Sequence, residues 1–286
     1  MTNSLEDTKF ILKKYHIQAN KRLGQNFLVN DDVINSIVEA SNIQKEDLVI
    51  EIGPGLGTLT SELLEHAGEV IAIELDEKMI PILSDRFKLY DNFELLNEDV
   101  LKVDLNKLIS ENMGNLSKAK VVANLPYYIT TPIIMKLLED KLNIESITVM
   151  VQKEVADRIT ARPGDKLSGS ITYSVDYYAE AENIVFVDKS SFIPAPEVDS
   201  EVIKLQIRKE PKVYVDNEEL FFKVIKASFM QRRKTLLNGL SNSGIVKDKE
   251  KLKEILEKLG LSVDVRGEKL TIEEFAKLAN LINKTI

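Results

Sequence analysis

The first two thirds of the chain alternate between short apolar runs and stretches whose apolar residues recur at helical spacing. The pattern predicts strands at residues 48–52, 70–74, 93–96, 121–123 and 146–151, and helices at 58–67, 79–89 and 129–138. Strands that alternate with helices in this way indicate right-handed βαβ units and a mainly parallel, doubly wound sheet. Two later strands, 184–187 and 201–207, are expected to form an antiparallel edge.

The pattern changes after Pro211, where strand signals end and helical spacing continues. Helices are expected at residues 218–229, 233–241, 248–259 and 272–282. Asp248 is a candidate N-cap, Gly260 a candidate C-cap, and Thr271 with Glu274 has the spacing of a capping box. The sequence therefore predicts an α/β domain over residues 1–210 and a small, all-helical domain over residues 211–286.

Composition excludes several classes of chemistry. The 286 residues include no cysteine and two histidines, His16 and His66. Disulfides, thiolate zinc sites and a cysteine nucleophile are therefore excluded, and we expect no metal site. The longest uncharged stretch, residues 121–135, is interrupted by prolines and is too short for a membrane span. Residues 1–10 do not resemble a secretory signal. We expect a soluble, cytoplasmic monomer that needs no membrane.

The charge is acidic overall but unevenly distributed. The net charge is −8, yet residues 8–29 carry five cations and no acid. Residues 201–240 hold nine cations against five acids, with a dense run at Arg232, Arg233 and Lys234. These segments are either solvated helix faces or patches that contact phosphates.

A glycine-rich segment joins the first predicted strand of the sheet to its helix. Residues 51–57 read EIGPGLG, and Glu74 ends the next strand 21 residues after Gly53. A carboxylate at that position can accept hydrogen bonds from both ribose hydroxyls, and Asp99 after the third strand could bind an adenine amino group. The G-x-G-x-G spacing is more typical of methyltransferases that bind S-adenosylmethionine than of dehydrogenases. A glycine-rich turn without a ligand is the alternative.

The tetrapeptide Asn124-Leu125-Pro126-Tyr127 follows the fourth predicted strand, at the sheet edge where ligands bind. An exocyclic adenine amine is a poor nucleophile because its lone pair is delocalised into the ring. Acceptors from the Asn124 side chain and the Leu125 carbonyl would favour a pyramidal nitrogen. Pro126 fixes the backbone, and Tyr127 offers a ring on which a base can stack. The alternative is a simple turn.

Residues 192–200 form a second element of this kind, with Phe192 ahead of Pro194 and Pro196. The prolines would hold the loop in one conformation. Phe192 would then lie opposite Tyr127 and sandwich a target base. Burial of Phe192 in the core is the alternative.

Taken together, these segments resemble the ribosomal RNA adenine dimethyltransferases, and most of all their bacterial small-subunit branch. The resemblance extends from about residue 10 to 280 and includes residues 23–28 (LGQNFL), 124–130 (NLPYYIT), 192–200 (FIPAPEVDS) and 229–236 (FMQRRKTL). It implies a Rossmann-like, S-adenosylmethionine-dependent methyltransferase domain followed by a helical domain that helps to dock on RNA. The implied reaction is dimethylation of two adjacent adenosines in a hairpin near the 3′ end of 16S rRNA, in the small subunit or its precursor.

The resemblance also implies roles for individual residues. It places the cofactor on Asn26, Leu28, Gly53, Glu74, Asp99 and Asn124, and the glycine motif adds Gly55 and Gly57. It places the target base on Asn124, Tyr127 and Phe192, and the tetrapeptide adds Leu125 and Pro126. RNA phosphates are expected on Lys21, Arg22, Arg232, Arg233 and Lys234.

Three alternatives stay open at this point. Large-subunit (23S) enzymes of the macrolide-resistance type share the glycine loop, but they are usually basic, whereas this chain has an isoelectric point near 5.1. A mainly non-catalytic factor in late small-subunit assembly would use the same RNA contacts. A nicotinamide-dependent dehydrogenase is disfavoured by the glycine spacing.

Overall fold

The structure is a computed structural model that describes residues 3–20, 23–231 and 234–285. Its strands are β1 (Phe27–Leu28), β2 (Asp47–Ile52), β3 (Glu69–Glu74), β4 (Phe93–Asn97), β5 (Lys118–Asn124), β6 (Ser146–Gln152), β7 (Ala179–Val187), β8 (Phe192–Ile193) and β9 (Ser200–Ile207). Its helices are α1 (Ser4–Lys14), α2 (Asp31–Ser41), α3 (Thr58–His66), α4 (Ile80–Phe87), α5 (Leu105–Asn112), α6 (Thr130–Glu139), α7 (Lys153–Thr160), α8 (Ser170–Tyr178), α9 (Glu218–Met230), α10 (Leu236–Asn242), α11 (Lys249–Lys258) and α12 (Ile272–Thr285).

Within the described residues, the main sheet has seven strands in the order β4-β3-β2-β5-β6-β9-β7. The first five of these are parallel, and β9 is antiparallel to β6. All six residues of β2 are buried, as a parallel strand covered by helices on both faces requires. The predicted α/β class and the antiparallel edge are confirmed.

The register of the central strands brings three predicted site residues to one edge of the sheet. Ile52 at the end of β2 pairs with Ile73 on one side and with Ala123 on the other. Glu74 and Asn124 therefore each lie one residue beyond a partner of Ile52, and Gly53 follows Ile52 directly. Ligands of open α/β sheets bind outside these carboxyl ends.

The first compact unit comprises Met1–Ala156 and Ala181–Ile207. Its amino-terminal part holds two helices that the sequence analysis did not predict, α1 and α2. Each begins with an asparagine, Asn3 or Asn30, whose side chain accepts two backbone N–H groups of the first turn. Ile34 and Ile37 of α2 are buried in the same apolar core as Val49 of β2.

The second compact unit comprises Asp157–Glu180 and Arg208–Ile286. Its carboxyl-terminal part is helical, as predicted. The Asp248 side chain caps α11, and Thr271 and Glu274 exchange the two hydrogen bonds of a capping box. The C-cap of α11 is Leu259, and Gly260, which was predicted as the C-cap, follows it with a φ of +70° and donates its N–H to the Glu257 carbonyl.

The division into units differs from the predicted boundary in one segment. Residues 157–180 were expected in the α/β domain, but they belong to the second unit. The reason is aromatic packing, because the Tyr173 ring lies 5.4 Å from that of Phe229 and 5.0 Å from that of Phe275.

Among the helices of the described residues, none combines the length and the apolar character that a membrane span requires.

Candidate active site

A cleft in the first unit opens at the carboxyl ends of β2, β3 and β5. It encloses about 1100 Å³, including the part that is open to solvent. The cleft is lined by these residues predicted to bind cofactor or base: Asn26, Leu28, Gly53, Gly55, Glu74, Asp99, Asn124, Leu125, Pro126, Tyr127 and Phe192.

The glycine loop turns the chain from β2 into α3 along the floor of this cleft. Gly53 and Gly55 have φ angles of +72° and +58°, a region that favours glycine. The Gly53 N–H donates to the Ile73 carbonyl at 2.9 Å, and the Gly55 N–H donates to Glu74 Oε2 at 3.0 Å. The loop is thereby held against the end of β3 with its backbone exposed to the cleft.

Gly57 is the exception among the predicted cofactor-binding residues, because it is not among the described residues that line the cleft. Its φ is +81°, and a Cβ atom there would lie 2.5 Å from Cε2 of Phe87. The close approach of Phe87 of α4 therefore requires glycine at this position. The structure thus shows a packing reason for Gly57, and its predicted contact with the cofactor stays a prediction.

Glu74 presents its carboxylate at the end of β3 and is 6% exposed. Oε1 accepts the Asp76 N–H at 2.8 Å, and Oε2 accepts the Gly55 N–H at 3.0 Å. Burial raises the pKa of Glu74, while these backbone hydrogen bonds act in the opposite direction. Because each oxygen keeps a second lone pair, the carboxylate can still accept two hydroxyl protons of a ribose.

The residues before and within β1 cross the cleft; we call residues 23–28 the N-terminal strap. Gln25 holds it at one end by donating from Nε2 to Asp76 Oδ2 at 2.7 Å, while its Oε1 accepts the Asn20 N–H at 2.8 Å. At the other end β1 pairs with β8, so that Leu28 lies opposite Phe192. The sequence analysis quoted Gln25 within the motif of residues 23–28 but gave it no role.

Asn124 and Leu125 lie where β5 ends. Nδ2 of Asn124 is 3.5 Å from the Asn26 carbonyl, at the limit of a hydrogen bond, which turns the amide nitrogen toward the strap. The Leu125 N–H donates to the Met150 carbonyl at 3.2 Å, and its side chain is buried. Both residues line the cleft beside the strap, and their action as acceptors for an amine stays a prediction.

Two aromatic rings predicted to hold a base reach the same cleft. Tyr127 is half-buried, and its hydroxyl shares a 2.7 Å hydrogen bond with Ser200 Oγ, which fixes the ring. Burial raises the pKa of Tyr127, so its phenol is neutral near pH 7. Phe192 is 3% exposed and packs in the apolar core beside the cleft. Their action as a pair on one base stays a prediction.

Two further carboxyl groups line the cleft. Asp99 accepts the Leu101 N–H on Oδ1 at 3.0 Å and lies beyond the end of β4. Glu51 near the end of β2 is 1% exposed, and Thr60 donates to its Oε2 at 2.6 Å. Burial raises the pKa of Glu51 to about 8. The sequence analysis included Glu51 in the glycine motif without a role, because its burial and raised pKa are visible only in the structure.

Of the five cations predicted to bind RNA, Lys234 lies within the described residues. Lys21, Arg22, Arg232 and Arg233 lie outside the described residues. Lys234 is exposed, and its backbone N–H donates to the Gln231 carbonyl at 2.8 Å. Among the described residues, no group of three or more histidine, aspartate or glutamate side chains could hold a metal ion.

Comparison with known proteins agrees with this geometry. The family model for ribosomal RNA adenine dimethylase matches residues 16–284. Two curated relatives are both named Ribosomal RNA small subunit methyltransferase A. The one from Bacillus pumilus is 48% identical over 98% of this chain and 96% of its own length. The one from Clostridium botulinum (strain ATCC 19397 / Type A) is 51% identical over 96% of this chain and 98% of its own length.

Solved structures show the same fold. A dimethyladenosine transferase from Plasmodium falciparum superposes with a TM-score of 0.74 at 29% identity, covering 90% of this chain and 98% of the other. The 23S rRNA methyltransferase ErmE gives a TM-score of 0.67 at 25% identity, covering 90% of this chain and all of the other. The large-subunit enzyme is thus more distant than the small-subunit relatives. The chain belongs to the ribosomal RNA adenine dimethylase family.

Proposed function

We propose that this chain methylates the 6-amino group of adenosine in small-subunit ribosomal RNA, with S-adenosylmethionine as the methyl donor. The observation that carries the proposal is the placement of Asn124 and Leu125 in one cleft with Gly55 and Glu74. Acceptors suited to an amine and acceptors suited to a ribose are therefore held at the same sheet edge. The names of the 48% and 51% identical relatives favour the small subunit over the large one.

The donor set of the cleft fits S-adenosylmethionine. Glu74 keeps one lone pair on each oxygen for the ribose hydroxyls, and Asp99 would accept the adenine amino group. Gly53 and Gly55 line the cleft with backbone atoms and have no Cβ atom that would face the ligand. A Cβ atom built on Gly53 would lie 3.9 Å from the Asn124 carbonyl oxygen. Asn26 and Leu28 of the N-terminal strap would cover the bound cofactor from the other side.

The cofactor supplies an electrophilic methyl group on a sulfonium. Asn124 Oδ1 and the Leu125 carbonyl accept hydrogen bonds from the two N–H groups of the target amine. They thereby favour a pyramidal nitrogen whose lone pair is directed toward the methyl group. The ring of Pro126 restricts the backbone that follows Leu125, with a φ of −60°, and so keeps the two acceptors in a fixed position. No strong base is required, because the ammonium product is acidic, so positioning and electrostatics carry the rate. Tyr127 and Phe192 hold the base.

The full proposed substrate is a pair of adjacent adenosines in a hairpin near the 3′ end of 16S rRNA. The chain would act as a monomer in the cytoplasm on the small subunit or its precursor, and its binding there would take part in late subunit assembly. Phosphate contacts are assigned to Lys21, Arg22, Arg232, Arg233 and Lys234. They let an acidic protein bind RNA through local basic segments.

A methyl-transfer assay tests the proposal. Radiolabelled S-adenosylmethionine is offered with immature small subunits, with large subunits and with naked DNA. We expect label in the small subunit alone, recovered as dimethyladenosine. Label in the large subunit would instead assign the chain to the macrolide-resistance type. Cofactor binding without any label would favour the assembly-factor alternative.

The variant Asn124→Ala tests the assignment of the amine acceptor. Removing one positioned polar group from a reaction centre costs about 10²–10³-fold in kcat. We expect a loss of this size in single-turnover methyl transfer at saturating cofactor, with the fold retained. Asn106→Ala is the matched control, because Asn106 is an exposed asparagine that donates to a backbone carbonyl, that of Asp140. Normal turnover in Asn124→Ala would refute the role.

A further inference from the structure

Tyr128 is an exposed aromatic residue at the mouth of the cleft, and the proposed reaction does not use it. It is 55% exposed, whereas Tyr127 beside it is half-buried and Phe192 is 3% exposed. Tyr128 nevertheless lines the cleft together with both. The aromatic lining of the cleft thus continues outward, from rings that would hold a base inside to a ring that solvent reaches.

Tyr128 lies in a short turn beside the N-terminal strap. Tyr128 is the middle residue of a 3-10 turn, Tyr127–Ile129, that follows Pro126. Gly24 of the N-terminal strap lies against it, since a Cβ built on Gly24 would be 3.5 Å from Tyr128 Cδ1 and 3.8 Å from the Pro126 Cβ. The φ of Gly24 is +60°. The strap therefore passes close to one edge of the ring without covering it, and more than half of the Tyr128 surface stays exposed.

We propose that Tyr128 is a stacking site for the base next to the adenosine in the cleft. This inference rests on the proposed function. Bases splayed out of single-stranded RNA lose their own stacking, and aromatic side chains replace it. When one nucleotide enters the cleft, the phosphodiester link keeps its neighbour at the mouth, where the Tyr128 ring is exposed.

Two cations, Lys21 and Arg22, come directly before the N-terminal strap in the sequence. They lie outside the described residues, and their charge is opposite to that of RNA phosphates. Adjacent adenosines make such a site useful, because each in turn can be held outside while the other is methylated. The chemical class of the ligand is a purine base in flexible, single-stranded RNA.

Kinetics with Tyr128→Ala test the site on immature small subunits. We expect KM for the RNA substrate to rise by roughly 5- to 150-fold, the range for one lost base–aromatic stack. The cofactor Kd should stay at the wild-type value, and Tyr128→Phe should restore the affinity because a ring suffices. Leu89→Ala is the control: Leu89 is 86% exposed and follows α4 at the end of the sheet opposite the cleft.

Fluorescence gives a direct readout of stacking. The chain contains no tryptophan, so Tyr128→Trp introduces the sole indole. A single-stranded RNA oligonucleotide with two adjacent adenosines should quench its emission, whereas Leu89→Trp should be unaffected. Replacing one adenosine by an abasic nucleotide should weaken binding to wild type but not to Tyr128→Ala.

The outcomes separate this inference from the proposed function. If wild type methylates no ribosomal RNA, the proposed function fails. If wild type methylates the small subunit while Tyr128→Ala keeps the wild-type KM, the stacking site is refuted. If Tyr128→Ala loses affinity for whole subunits but the oligonucleotide leaves Tyr128→Trp unquenched, Tyr128 contacts a ribosomal protein instead, and the inference is overturned.

Discussion

Glu51 is a buried carboxyl group whose ionisation opposes folding. Its pKa is about 8, above the ordinary value of 4.5, so the native state keeps a proton that the unfolded state loses between these pH values. By linkage the free energy of unfolding then falls as pH rises from about 4.5 to about 8. At ~1.4 kcal/mol for each pKa unit the loss is a few kcal/mol. The cause is burial together with the nearby charge of Glu74, and the hydrogen bond from the Thr60 hydroxyl only partly compensates.

Glu51→Gln removes this dependence. We expect the variant to gain stability relative to wild type as the pH is raised from 5 to 8.5, by a few kcal/mol over that range. Urea unfolding of the ligand-free proteins at several pH values measures the difference. Glu39→Gln, which removes an exposed carboxylate from α2, should follow the wild-type curve. A constant difference between Glu51→Gln and wild type across this range would contradict the raised pKa.

Gly57 and Gly114 distinguish two reasons for a glycine. Both have positive φ, +81° and +42°, but a Cβ on Gly57 would meet Phe87 at 2.5 Å, whereas a Cβ on Gly114 meets nothing within 4 Å. Gly114→Ala should therefore cost only backbone strain, on the order of 1 kcal/mol. Gly57→Ala adds a steric overlap and should cost about 2–4 kcal/mol. If denaturant unfolding shows the same loss of free energy of unfolding for both variants, the Phe87 ring moves away from the new Cβ atom without cost.

At the scale of elements, the Gln25 side chain holds one end of the N-terminal strap. Gln25 donates to Asp76 Oδ2 at 2.7 Å, and the Asp76 N–H donates to Glu74 Oε1 at 2.8 Å. The strap is thereby connected to the carboxylate assigned to the ribose. A hydrogen bond to a charged group contributes about 1.5–3 kcal/mol, so the contact can decide whether the strap is closed.

Gln25→Glu places a second carboxylate against Asp76 and should open the strap. We expect cofactor affinity to fall by about 10- to 100-fold and the amides of β1 to exchange faster with solvent. Gln25→Ala should have a smaller effect, because it loses the hydrogen bond without adding repulsion. Calorimetric titration and hydrogen exchange measure both quantities. Gln44→Glu adds the same charge at an exposed position and should change neither the cofactor affinity nor the exchange rate. If its effect is as large as that of Gln25→Glu, the cause is the net charge and not the contact with Asp76.

The elements themselves differ in how far the sequence predicts them. Strands β2, β3 and β6 follow the apolar runs within a residue, because burial on both faces favours apolar residues along most of their length. The two-residue strands β1 and β8 leave no periodic pattern, and they form because residues far apart in sequence meet. The strap was therefore recognised by its motif but not by its hydrogen bonds.

At the scale of the whole molecule, the domain division shows what a linear pattern misses. A single boundary near Pro211 follows from the end of the strand pattern, yet residues 157–180 pack with the helices beyond it. Tyr177 lies 5.3 Å from Phe221 and 5.2 Å from Phe222, ring to ring. Helical spacing shows which face of α8 is apolar but not which other segment covers it. Packing between distant segments had to be seen in three dimensions.

The balance of charge sets how the whole molecule meets RNA. With a net charge of −8 the protein repels a polyanion except at its basic segments, so affinity must come from few phosphate contacts. Each contact contributes about one unit to the slope of log K against log salt concentration. We expect Arg22→Ala and Lys234→Ala each to reduce that slope by about 1 in filter-binding titrations with small-subunit RNA, while the cofactor Kd is unchanged. Lys258→Ala removes one exposed cation outside the basic segments and should leave the slope as in wild type. A slope that falls equally in all three variants would mean that RNA senses only the net charge, and the assignment of these cations to phosphates would be wrong.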